Sequence, residues 1–140
     1  MKKILIIDDE KDIRFLLSNI LVDENYITIE AGNIQDAEKK IDNENFDLAL
    51  VDISLGDKKK DVISLFKKIK KINSDIPVIM ISGHATIQIA VDSIKEGAFE
   101  FLEKPFNTSR LLNFVKRALE NFDLKKENKK LNNLFLILMN

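Results

Sequence analysis

Five short apolar runs, each followed by a longer amphipathic stretch, constrain this chain more than any other feature of it. Ile4 to Ile7, Tyr26 to Ile29, Leu48 to Val51, Val78 to Ile81 and Phe99 to Leu102 read as strands. Several are too continuously apolar to have a wet face, the pattern of a sheet covered on both sides. Between them, Val62, Leu65, Phe66, Ile69 and Ile72, and again Ile87, Ala90, Val91 and Ile94, recur at helical spacing and form apolar stripes. The lysines between those positions read as a solvated face. Pro77 opens one strand and Gly97 follows one helical stretch, where breakers of regular structure belong. Strand-helix alternation with right-handed crossovers gives a parallel sheet with helices on both faces, so the fold class is α/β. Strand order stays open at this point. In such sheets, however, ligands bind beyond the carboxyl ends of the strands, near the place where the order reverses.

With 140 residues, 45% of them hydrophobic, the chain can build one compact domain and is too short for two ordinary ones. Its 22 Lys plus Arg against 23 Asp plus Glu leave a formal charge of −1, with no uniform pull toward nucleic acid or anionic lipid. Direct nucleic-acid contact and membrane association are therefore not expected. The lack of cysteine excludes disulfides, thiolate metal sites and cysteine nucleophiles. Ile4 to Ile7 is shorter than a signal-peptide core or a membrane span requires, so a cytoplasmic setting is expected.

The composition changes past Phe122, into the charged segment Asp123 to Lys130 and then Leu131, Leu134, Phe135, Leu136, Ile137, Leu138 and Met139. Leu124, Leu131 and Leu138 lie seven residues apart, with Leu134 in the intervening register. The domain is read as residues 1–121. Residues 122–140 are read as a helical extension or linker, either the start of a coiled coil or a last helix that frays or packs on a neighbour.

Chemistry-bearing residues follow the strands. Asp8 and Asp9 come after the first, Asp52 ends the third, Ser82 ends the fourth and Lys104 lies just beyond the fifth, all on one edge of the expected sheet. Taken singly, Asp8-Asp9 is equally a helix N-cap, Asp52 an ordinary strand end, and Lys104-Pro105 and Ser82-Gly83 turns. Together they are more. Converging carboxylates repel unless a cation neutralises them, and an all-oxygen cluster suits a small hard ion such as Mg²⁺. A carboxylate nucleophile, a cation on phosphoryl oxygens, and the Lys104 ammonium and Ser82 hydroxyl as donors make a set suited to phosphoryl transfer.

Ile6-Ile7-Asp8-Asp9-Glu10, Leu50-Val51-Asp52, Met80-Ile81-Ser82-Gly83-His84 and the run Gly97 to Phe106 resemble the signature segments of response-regulator receivers of two-component systems. The wording around Ser82 to Thr86 and Gly97 to Phe106 is most similar to receivers of the nitrogen-regulation (Ntr-type) transcription activators. The resemblance implies a flavodoxin-like five-stranded sheet of order 2-1-3-4-5, with the site at the switch point between strands one and three. It implies that Asp52 is the phosphoacceptor for a sensor histidine kinase, and that Asp9 and Asp52 bind Mg²⁺ directly. Asp8 would act through a metal-bound water, and the backbone carbonyl of Ser54 would complete the protein ligands. Lys104 would contact the phosphoryl group, Ser82 would be the switch hydroxyl and Phe101 the switch aromatic. A cis Lys104-Pro105 bond is also implied. Such a domain is a phosphoacceptor switch that assists its own phosphorylation and dephosphorylation, not a turnover enzyme. Relatives of this type continue into an ATPase and a DNA-binding domain, so the chain reads as a piece of a longer transcription regulator or as a receiver acting alone.

The chain departs from the family where a proline and a loop-closing glycine are common, with Gly56 and Val62 in those places and Asp57 to Lys60 lengthening the loop. His84 stands where the family tunes access of water to the phosphoryl group, and it reads equally as a solvated loop residue. Two other functions compete: a Mg²⁺-dependent aspartyl phosphatase, which would need Asp-x-Asp where Asp8-Asp9-Glu10 stands, and a phosphate-independent interaction module. For output, Ile89 lies about opposite the Ile87, Ala90, Val91 and Ile94 stripe at roughly 100° per residue. With Phe114 at the margin of the next helix's buried stripe, it is expected to form a face for homodimerisation on phosphorylation.

Overall fold

The expected alternation is realised as β1 (Lys3–Ile7), α1 (Lys11–Asp23), β2 (Ile27–Ala31), α2 (Ile34–Asn43), β3 (Leu48–Asp52), α3 (Lys59–Ile72), β4 (Val78–Ser82), α4 (Ile87–Lys95), β5 (Glu100–Glu103) and α5 (Thr108–Met139). The computed structural model describes residues 1–54, 59–83 and 87–139, with the side chains at 59, 60 and 87 excepted. Gly56, Asp57, Lys58 and His84, on which the readings of loop shape and water access rest, lie outside the described residues. All four strand pairings are parallel and the sheet order is β2-β1-β3-β4-β5. The order reverses at β1, which lies between β2 and β3.

Successive strand residues point to opposite faces, and this sorts the core into two layers. Leu5, Ile7, Ala49, Val51, Val78 and Met80 meet Ala37 and Ile41 of α2 and Val62, Leu65, Phe66 and Ile69 of α3. Ile4, Ile6, Leu48, Leu50, Ile79, Ile81 and Leu102 meet Leu17 and Leu21 of α1 and Leu111, Phe114, Val115, Ala118 and Leu119 of α5. β3 and β4 are buried along their whole length, which explains their unbroken apolar runs. Each fully buried Leu or Ile stabilises by about 1.5–3 kcal/mol. Polar residues at the strand ends set the register, because a one-residue slip would carry Asp8 or Asp52 into the apolar layers as an unpaired charge. The edge strands are more polar, with exposed Glu30 on β2 and exposed Glu103 on β5, and charge on an edge discourages further strand pairing.

Helix starts and stops have local causes. Asn33 accepts from the Asp36 N–H at the head of α2, and Asn107 accepts from the Ser109 N–H at the head of α5. Gly97 leaves α4 with a φ of 103°, in the left-handed region, and a Cβ there would meet Phe66 Cζ at 3.4 Å.

Four expectations about helical faces are corrected. Among the described side chains of α4 the buried one is Ser93, whose Oγ donates to the Ile89 carbonyl, while Val91 is 41% and Ile94 46% exposed. Ile89 is half-buried on the Ser93 side and Val91 lies about 160° away. The apolar stripe read from the sequence thus faces partly outward, and Ile89 does not stand opposite the core. Phe114 is buried in the α1/α5 layer, with the Arg110 and Arg117 guanidinium groups over its ring, and presents no apolar surface. Ile72, at the end of α3, is likewise exposed. Lys70 is no solvated lysine, because its Nζ turns back to the Ile76 carbonyl at 2.5 Å and lies 5.7 Å from the Phe66 ring centroid.

α5 is continuous over 32 residues, about 48 Å of helix. It is packed as far as Phe122 and exposed beyond it. Two ion pairs tie the exposed part to the opposite end of the sheet from the acidic edge, Lys2–Asp123 and Lys129–Asp75. The hydrogen bond from Lys129 holds the Asp75 carboxyl below its usual value against the opposing effect of burial, with the fields of Lys125 and Lys70 adding to it. A carboxyl depressed in the folded state stabilises fully above its unfolded value, near 3.9, and the contribution is lost as pH falls through the folded value. Protection factors of the amides in residues 125–139, taken against the intrinsic exchange rate at each pH, are therefore expected to fall on acidification below about pH 4, and at neutral pH in Asp75→Asn. Unchanged exchange in the variant would remove this tether from the account. No helix among the described residues is long and apolar enough to cross a membrane.

Candidate functional site

The carboxyl ends of β1, β3, β4 and β5 bring Asp8, Asp52, Ser82 and Lys104 to one edge, as the sequence predicts. Asp52 closes β3, paired in register with Ile81, and is fully buried. Its Oδ1 accepts from the Ser54 N–H at 3.0 Å and the Ser54 hydroxyl at 2.7 Å, and its Oδ2 lies 3.4 Å from Lys104 Nζ. Asp8 follows β1 and is also buried. Its N–H donates to the Ala31 carbonyl at 3.1 Å and its Oδ1 accepts from the Glu10 N–H at 2.8 Å. The alternative of an N-cap fails. α1 starts at Lys11 behind Glu10, whose side chain makes no cap hydrogen bond, so the acidic turn is not spent on capping the helix.

Ligand-capable oxygens of Asp8, Asp9, Glu10 and Asp52 all lie within 4.8 Å of one another. Asp9 and Glu10 are exposed, Asp8 and Asp52 buried. Among the described residues four carboxylates thus face one ammonium, that of Lys104, which stands 2.9 Å from Asp8 Oδ2 and 3.4 Å from Glu10 Oε1. Burial drives the Asp8 carboxyl above its usual value, further than the Glu10 N–H and Lys104 bring it back, and the charge of Asp52 pushes the same way. Burial also works against the Lys104 ammonium, but Asp8, Asp52 and Glu10 together outweigh it and raise its pKa. Asp8 Oδ2 is buried and, among the described residues, has the Lys104 ammonium beside it but no well-directed hydrogen bond. An oxygen-only set with excess negative charge and a buried, under-coordinated oxygen fits a small hard cation.

Ser82 is buried at the end of β4, where its carbonyl accepts from the Lys104 N–H at 2.8 Å. Met80 pairs with Phe101 and Ser82 with Glu103, so Ser82 and Phe101 lie on the same face of the sheet, where the half-buried Phe101 packs against the α2/α3 layer. The Lys104-Pro105 bond is cis. Sequence reasoning missed three participants. Glu10 belongs to the acidic cluster, and its place in the same acidic run was the available signal. The Ser54 hydroxyl on Asp52 was signalled only by its spacing of two. Arg14, whose Nη1 donates to the Asp8 carbonyl at 2.8 Å, carried no readable signal, because spacing does not show that a helical arginine reaches back over the preceding turn.

Known proteins are similar to this chain in sequence and fold. A family model described as response regulator receiver domain matches residues 4–116. The nitrogen assimilation regulatory protein NtrX of Azorhizobium caulinodans is 42% identical over 131 residues, covering 94% of this chain and 29% of that regulator. The chain therefore spans less than a third of that curated relative. A CheY-like response regulator receiver domain protein from Methanospirillum hungatei superposes with a TM-score of 0.81 at 34% identity, covering 89% of this chain and 98% of the other. The beryllofluoride-activated NtrC4 receiver domain dimer gives 0.79 at 39% identity, covering 87% and 99%. The two-layer fold, its sheet order and these matches lead to one conclusion: the chain belongs to the response regulator receiver domain family.

Proposed function

We propose that this receiver takes a phosphoryl group from a sensor histidine kinase onto Asp52, with Mg²⁺ held by the acidic turn, and that the modification changes its output surface. The observation that carries the reading is Asp52 itself, a fully buried carboxylate within 4.8 Å of three other acidic groups and 3.4 Å from an ammonium. Asp9, Asp52 and the Ser54 carbonyl would hold the cation, with Asp8 acting through a water. When bound, the cation neutralises phosphoryl oxygens as charge moves onto the leaving group.

The residues of the chain supply the rest. A carboxylate oxygen of Asp52 forms the new bond to phosphorus as the bond from phosphorus to the donor breaks, leaving an acyl phosphate. Lys104 supplies fixed positive charge beside it. The product carries nearly two negative charges and three acceptor oxygens, toward which the Ser82 hydroxyl turns. Phe101, on the same sheet face, then rotates inward and alters the surface of α4, β5 and α5. Acetyl phosphate with Mg²⁺ tests the reading: slow stoichiometric labelling that stops on chelation supports it, whereas fast turnover without labelling, or no reaction, contradicts it.

The longer regulators to which the chain is similar suggest that its output is transcriptional and its setting cytoplasmic, with residues 1–121 as the switch and 122–140 as the linker. The dimer described for the NtrC4 receiver supports self-association on activation. The half-exposed Val91 and Ile94 of α4 are the apolar groups placed to make it, with Ile89 at their margin. Beryllofluoride with Mg²⁺ is expected to shift the sedimentation coefficient toward a dimer. Val91→Asp is expected to weaken that gain about tenfold or more, since a charge buried in an interface without a partner costs several kcal/mol. Equal association by the variant would rule this face out.

A further inference from the structure

The turn that carries Asp8 and Asp9 is held by a side chain four residues beyond its end. Arg14, on the first turn of α1, is largely covered, with 18% of its side chain exposed. Its Nη1 donates to the Asp8 carbonyl at 2.8 Å and its Nε stands 3.4 Å from Glu30 Oε1 on β2. The guanidinium lies over Gly32, where a Cβ would come within 2.8 Å of Nη1 and 3.2 Å of Cζ. On the other side of the same residue, the Asp8 N–H is fixed to the Ala31 carbonyl at 3.1 Å. The peptide groups flanking Asp8 are thus pinned from β2 and from α1, in a turn whose helix has no side-chain cap.

We infer that Arg14 is a positioning residue for the cation site: it sets the direction in which Asp8 and Asp9 present their carboxylates, and Gly32 provides the space its guanidinium needs. The inference rests on reading the acidic cluster as a Mg²⁺ site. Arginine suits the place because its planar fork reaches two acceptors at once, whereas a lysine presents a single ammonium group at the end of a flexible chain. Arg14 touches neither Asp52 nor any atom that would react, so it acts through Asp8. Residues that orient metal ligands in this way typically contribute about 10–100-fold in metal affinity.

Calorimetric titration of the chain with MgCl₂, with the Tm recorded in chelator, tests this on the parent, Arg14→Ala, Arg14→Lys, Gly32→Ala and the double variant Arg14→Ala/Gly32→Ala. Arg14→Ala is expected to weaken Mg²⁺ binding about tenfold or more, with Arg14→Lys recovering part of the loss. Gly32→Ala leaves the arginine in the sequence but pushes its guanidinium aside, and is expected to weaken binding in the same direction by a smaller factor. The double variant should bind no worse than Arg14→Ala alone, since a methyl group at position 32 has room once the guanidinium is gone. A merely structural ion pair would lower the Tm in chelator and leave the Mg²⁺ Kd unchanged. That result, or additive losses in the double variant, would overturn the inference. If Arg14→Ala does not fold, Gly32→Ala decides the matter. A parent that does not bind Mg²⁺ would instead refute the reading of the site, and the inference would fall with it.

Discussion

Asp52→Asn is expected to reduce labelling by acetyl phosphate and Mg²⁺ to background while leaving the fold intact. The amide is nearly isosteric with the carboxylate, and its oxygen can still accept from the Ser54 N–H and hydroxyl that now bind Oδ1. It lacks the negative charge and the nucleophilic carboxylate oxygen that forms the acyl phosphate. The neighbouring acids are poorly placed to substitute. Asp8 is engaged on Oδ1 by the Glu10 N–H and on Oδ2 by Lys104, and Asp9 and Glu10 are exposed, where water competes for any phosphoryl donor. Removing one of four converging carboxylates also relieves repulsion, since the charge of Asp52 contributes to the raised pKa of Asp8. The Tm in chelator should therefore be at least that of the parent. Stoichiometric phosphate on the variant, mapped to another residue, would sink the assignment.

Lys104→Met is expected to move two quantities in opposite directions. One preorganised donor aimed at developing negative charge is worth about 10²–10³ in rate at acyl-transfer centres, and with an ammonium in the corresponding place here, labelling at saturating Mg²⁺ should slow about 100-fold. Mg²⁺ binding should tighten. The ammonium lies 2.9 Å from Asp8 and 3.4 Å from Asp52 and Glu10, in the middle of the cluster that attracts the cation. Its repulsion of a divalent ion a few ångströms away is about 2 kcal/mol even at the dielectric constant of water. Affinity should therefore rise about tenfold after relaxation and screening. A damaged site would lose both properties together. A fall in Mg²⁺ affinity, or an unchanged labelling rate, would show that Lys104 does not have this role.

The fold was legible because its strands announce themselves. Leu48 to Val51 and Val78 to Ile81 are apolar without interruption, which only a sheet covered on both faces permits. The site was legible for the same reason. Asp8, Asp52, Ser82 and Lys104 each end or directly follow a strand, and a parallel sheet has one carboxyl edge. The phase of α4 was not legible. Over nine residues, Ile87, Ala90, Val91 and Ile94 satisfy helical spacing as well as a core stripe would, but Val91 and Ile94 are exposed and Ser93 is buried. Hydropathy cannot distinguish an apolar stripe that meets the core from one left for another surface. The burial of Phe114 was hidden differently, because two arginines cover the ring and a neighbouring charge reads as exposure in sequence. Arg14 and Gly32 were invisible as a pair, since their contact joins segments 18 positions apart through the space left by a missing Cβ.

The central claim is that the phosphoryl group resides on Asp52, and the most direct measurement is chemical trapping on the unaltered chain. Borohydride reduces an acyl phosphate to a primary alcohol and leaves free carboxylates intact, so peptide mass spectrometry after labelling with acetyl phosphate and Mg²⁺ reads the modified position. Reduction is expected at residue 52 alone, in proportion to the phosphate incorporated and absent when Mg²⁺ is chelated. Reduction at Asp8, Asp9 or Glu10, or phosphate incorporated without any reduced aspartate, would contradict it.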